Sequence, residues 1–137
     1  MSTHFTDIAG ALRARLSTLT SLPPVAWENI NYTPSSTTLY LRPTILPAPT
    51  AQASLGDSGR DLHEGIFQID VFIPDGSGRS TWPDSIADHF KRGTILTQNG
   101  VTVRIKNASI GTAFKDENFY QVPVTIDYQS FTSARTV

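Results

Sequence analysis

The chain has 137 residues, one domain against a prior of about 150 residues per domain, and folding at this length buries roughly 68% of the surface the unfolded chain exposes, enough for one core without staples. The absence of cysteine excludes disulfide frameworks, cysteine-bound zinc, iron–sulfur sites and thiol nucleophiles. A net charge of −1 with 17% charged residues provides no basic field for a nucleic-acid backbone or an anionic membrane. The longest uncharged stretch, Pro43 to Gly56, is too short and too polar to span a bilayer, and the first residues lack the order of a signal peptide. Folding in a cytosol is expected.

Phe5, Ile8, Ala9, Leu12, Leu16 and Leu19 recur at helical spacing, which predicts an amphipathic helix over roughly residues 4 to 20. Ser2 or Thr3 caps it, Asp7 sits in the first turn where the macrodipole favours an acid, and Leu22-Pro23-Pro24 stops it. The period then becomes two. Trp27 to Tyr32 and Thr37 to Arg42 flank Pro34-Ser35-Ser36 and read as two antiparallel strands. Pro47 to His63, rich in Ala, Ser, Gly and Pro, reads as a loop longer than compact domains usually carry, either disordered or shaped by a partner.

Glu64 to Ile73 alternates, with Phe67, Ile69, Val71 and Ile73 on one face, and predicts a half-buried strand. Pro74 to Gly78 interrupts it. A second helix is expected from about Trp82 to Arg92, capped by Ser80 or Thr81, with Pro83 in its first turn and Gly93 as its left-handed stop. Thr94 to Thr97 and Val101 to Ile105 bracket Asn99-Gly100, the strongest short hairpin signal. The last strand, about Phe119 to Phe131, carries Tyr120, Val122, Val124, Ile126 and Tyr128 on one side. At ~3.3 Å per residue it would span roughly 43 Å, against a radius of gyration near ~14 Å, so it must bend or reach past its own domain. Pro123 within it should lie at a bulge or an edge. The sum is an α+β domain: a mostly antiparallel sheet of about five to six strands with two helices on one face.

Catalytic signatures are weak. Gly76-Ser77-Gly78-Arg79-Ser80 leaves a strand and enters a helix, but no P-loop lysine follows, and the third glycine of a dinucleotide motif would fall at Thr81. His4, His63 and His89 form no metal-spaced pair and are expected in solvent; Asp84 and Asp88 read as a wet helix face. Most of Trp27, Tyr32, Tyr40, Phe114, Phe119, Tyr120 and Tyr128 should be core, the rest interface anchors.

The amphipathic first helix, Trp27 to Tyr32, Leu39-Tyr40-Leu41-Arg42-Pro43, the Ala/Ser/Gly-rich loop, Gly65 to Gly78 leading into Ile86 to Phe90, and the closing Phe119 to Ile126 together resemble the tail terminator proteins of long-tailed bacteriophages. The resemblance implies a small α+β subunit of a homohexameric ring that caps a completed tail tube, stops polymerisation and presents the head-joining surface in the virion. It implies no catalytic residue, cofactor or metal. The implied partners are other copies of the chain, the tail tube protein and the head-tail connector protein, with no nucleic acid or membrane contact required. Interface candidates are Arg60, Asp61, Glu64 and Arg79, together with outward-facing Gln121, Thr125 and Gln129 on a last strand expected to offer an open edge. The alternatives are another tail-tube or neck protein, or a small ligand-binding domain using the Gly76 to Ser80 loop.

Overall fold

A computed structural model describes residues 4–28, 30–35, 37–48, 51–52, 60–76, 78 and 80–133, with side chains for all of these except 51, 52, 60, 132 and 133. The elements in chain order are α1 (His4–Ser17), β1 (Tyr40–Pro47), β2 (Ala51–Gln52), β3 (Arg60–Pro74), α2 (Trp82–His89), β4 (Ile95–Gln98), β5 (Val101–Ile110), β6 (Phe114–Asp116) and β7 (Phe119–Ser133). The main strands run β1-β3-β7-β5-β4, every pair antiparallel, with β2 added to β3 and β6 to β7. The fold is α+β, as the periodicities predict.

Alternation decides which face is covered. Leu41, Ile45, Phe67, Ile69, Val71, Ile73, Val103, Ile105, Val124, Ile126 and Tyr128 are buried on one side of the sheet and share a core with Ile8, Leu12 and Leu16 of α1 and Ile86 and Phe90 beside α2. Both helices therefore cover the same face. Arg15 fastens them: its Nε and Nη2 donate to the His89 carbonyl at 3.1 and 2.9 Å, while His89 Nε2 donates to the Arg15 carbonyl at 2.8 Å. α1 ends earlier than the apolar spacing predicts because Thr18 and Leu19 close short turns onto Arg15 and Leu16 and Ser21 turns left-handed (φ 57°). Phe5, expected in the core, is 46% exposed, whereas Asp7 is buried beside the hairpin, its Oδ1 accepting from Asn99 Nδ2 at 2.9 Å. The proposed caps Ser2 and Thr3 lie outside the described residues. At α2, Ser80 Oγ accepts from the Trp82 N–H, while Thr81 occupies the N-cap without a side-chain bond.

Three expectations need correction. Trp27 to Tyr32 and Thr37 to Arg42 do not form a hairpin: Val25, just ahead of the first segment, makes a parallel bridge to Leu41, while Trp27 packs on the main core and the Tyr32 ring lies tilted 5.2 Å from that of Tyr40. The apolar alternation does not mark a buried face there, since Ile30 is 64% exposed while Trp27 and Tyr32 are partly covered. The Pro47 to His63 loop is shorter than its composition suggests, since β1 extends through Pro47, Ala51 and Gln52 form β2 and β3 begins at Arg60; residues 49–50 and 53–59 lie outside the described residues. Pro123 is at neither a bulge nor an edge, because β7 is the central strand. Its carbonyl accepts from Gly111, so its nitrogen points to the same side, into the gap between the β5 and β6 ladders where no donor is needed.

Candidate assembly surface

The face opposite the helices has no element laid across it among the described residues. Its centre is polar and braced from within: Asp70 is 4% exposed, Gln68 Nε2 donates to its Oδ1 at 3.0 Å, and Arg42 Nη2 lies 4.0 Å from Oδ2 while stacking 4.7 Å over Phe72. At one end, Tyr40 stacks on Phe72 (centroids 4.5 Å) and both meet Phe119 edge-on. Burial pushes the Tyr40 hydroxyl above its ordinary pKa, against the opposing pull of Arg42. Toward the other end the bulge at Lys106 sends its ammonium across β7 to Glu64, 3.1 Å away.

The two margins of the sheet differ. On the outer side of β1, Leu41 donates to the Pro24 carbonyl and accepts from Ala26, and the Ile45 N–H is taken by Glu28 Oε1 at 2.7 Å. Alternation points Pro43 and Pro47 the same way, and neither has a donor. That edge is closed. On β4 the Asn99-Gly100 turn (φ 50° and 79°) directs Gln98, Leu96 and the Thr94 carbonyl toward β5, the last accepting from Ile105. Ile95 and Thr97, both exposed, direct their backbone groups outward, where no strand pairs with them among the described residues. That edge is open.

The sequence-predicted residues scatter over this surface. Glu64 lies on β3 as its alternation predicts, and Asp61 lies on the same strand rather than in the loop; Arg60 begins that strand with its side chain undescribed, and Arg79 lies outside the described residues. Thr125 and Gln129 are half-buried on the uncovered face, but in the central strand rather than an edge. Gln121 faces the same way yet is only 7% exposed, its register neighbours being Phe72 and Phe114. Val124 and Ile126 are fully buried, as the inward assignment requires. Sequence reasoning passed over Ile95, Thr97 and Arg104; the Asn-Gly turn already sets Ile95 opposite Arg104, in antiphase to Val101, Val103 and Ile105.

The other candidate chemistry is not assembled among the described residues. Gly76 and Gly78 take positive φ (84° and 78°) and turn the chain from β3 toward α2; Ser77 and Arg79 are not described. Asp84 and Asp88 are exposed, as expected of a wet helix face. The histidines are less solvated than expected: His63 is 8% exposed with His4 against it edge-on at 5.7 Å, and His89 is bonded to α1. No group of three or more metal-ligating side chains occurs among the described residues, and no described helix is long and apolar enough to cross a membrane.

None of the curated proteins matches the chain. One solved structure, which carries no functional name, is similar with a TM-score of 0.74 and 25% identity, over 94% of this chain and 96% of its own. The sequence model of one family, described as phage tail terminator protein, matches residues 7–128. By that match the chain belongs to the phage tail terminator protein family.

Proposed function

We propose that the protein caps the head-proximal end of a phage tail tube as a homohexameric ring, stops tube polymerisation and offers the surface to which the head-tail connector binds, with no catalytic step. Membership of the family supports a structural role in a phage tail. The observation that carries the ring reading is the inequality of the margins: β1 is closed by Pro24, Ala26, Glu28 and two prolines, while among the described residues β4 and the helix-free face are open. A closed ring requires such unlike surfaces, since each subunit presents one patch to its left neighbour and another to its right. Assembly would take place in the host cytoplasm, with the finished protein in the virion tail.

Sedimentation and electron microscopy of the purified protein, alone and mixed with tail tubes, test this reading. Rings at one tube end and arrested elongation are the expected result. A monomer in both conditions would overturn it, and incorporation along the tube length would make the protein a tube component instead.

A further inference from the structure

Two exposed apolar patches lie at opposite ends of β7. At one end Ile95 (58% exposed) and Arg104 border a cavity of about 380 Å³ with Gln129 and Phe131. At the other, Ile110 and Tyr120 (both 43% exposed) border one of about 330 Å³ with Pro83 and Asp84. Nine residue-to-residue steps of extended strand from Tyr120 to Gln129 set the patches ~30 Å apart, so they face different directions of approach.

Each cavity has one charged residue in its lining, Arg104 in the first and Asp84 in the second. Both are exposed, and neither makes an ion pair among the described residues. A charge beside exposed isoleucine and an aromatic ring is the composition of an interface centre with one polar anchor. Two copies meeting through the same patch would oppose Arg104 to Arg104 or Asp84 to Asp84, like charges that disfavour a two-fold contact. Meeting through unlike patches opposes arginine to aspartate, and a contact of that kind repeats head to tail.

Resting on the ring reading above, we propose that neighbouring copies join by the Ile95–Arg104 patch of one against the Ile110–Tyr120 patch of the next, with Arg104 facing Asp84 across the junction. The occupant of each patch is a second copy of this chain.

Charge reversal in trans provides the test. Arg104→Glu makes both patches of a copy acidic and Asp84→Arg makes both basic, so each variant repels itself while the two attract one another. Both residues are exposed, so each variant should melt with the wild type. Each alone should form rings at least tenfold less readily by sedimentation, with or without tail tubes, and an equimolar mixture should restore wild-type rings of alternating subunits. Rings from either variant alone, as ready as the wild type's, would overturn the pairing and leave the ring reading intact, including the case where such rings fail to cap tubes. A mixture that stays dissociated would overturn it too. A wild-type protein that forms no ring even on tubes would remove the ring reading and this junction together.

Discussion

At Gly65 the missing side chain matters because the backbone of β1 crowds it. A Cβ built there would lie 2.6 Å from the Leu46 carbonyl oxygen, 2.7 Å from the Tyr128 hydroxyl and 2.9 Å from Pro47 Cα. Two of those atoms are backbone and cannot step aside cheaply, so Gly65→Ala should cost about 1–3 kcal/mol by urea unfolding; an unchanged midpoint would mean the β1–β3 contact is looser than it looks. His89 is a different case. Burial lowers its pKa from the ordinary 6.5, the bond to the Arg15 carbonyl opposing and the Arg15 charge assisting. The fold thus favours the neutral ring, and its contribution is complete above pH 6.5 and lost as pH falls through the depressed value. The difference in stability between the wild type and His89→Gln should therefore shrink on acidification below that range. A difference that is flat or widens would show that the imidazolium is tolerated between the helices. Sequence alone exposed neither position, because both depend on atoms far away in the chain, Leu46 and Tyr128 for the glycine and Arg15 for the histidine.

Among the elements, the helices and the β4–β5 hairpin were legible because their signals are local: apolar spacing, Pro83 at the start of α2, left-handed Gly93 and the Asn99-Gly100 turn. Strand rank in the sheet was not. The alternation of β7 reveals a buried face but contains nothing about which strands flank it, and Pro123 pointed to an edge when the gap between β5 and β6 accommodates it. The closed margin of β1 was equally hidden, since Glu28 reaches the Ile45 N–H from 17 positions away. Removing that carboxylate tests whether the closure matters. Glu28→Ala should cost about 1.5 kcal/mol, the low end for a hydrogen bond to a charged acceptor because this one is half-exposed. It should also raise concentration-dependent aggregation by uncovering an edge donor. Equal aggregation of variant and wild type in light scattering would show that Pro43 and Pro47 protect the margin unaided.

Over the whole molecule, the sheet has one face committed to the helices and one that no described element covers, and the polar residues of the central strand distinguish structural from associative positions. Gln121 is buried between aromatic neighbours, so Gln121→Glu should lower the melting temperature rather than act selectively on assembly. Thr125 and Gln129 are half-buried, beside Gln68 and Ser109 in one case and Glu64 and Arg104 in the other. Glutamates at these two positions keep access to water in the free subunit, so Thr125→Glu with Gln129→Glu should melt within a few degrees of the wild type. If the helix-free face meets another protein in the assembled tail, the charge at position 125 is desolvated there without a partner, which costs several kcal/mol, and the one at 129, opposite Arg104 in register, alters the charge of that end of the face. The double variant should then remain folded by circular dichroism yet leave tail tubes uncapped in electron micrographs. Normal capping by a variant with both glutamates would show that this face around Thr125 and Gln129 is solvent surface in the tail, and that the contacts with tube and head lie on other surfaces of the subunit.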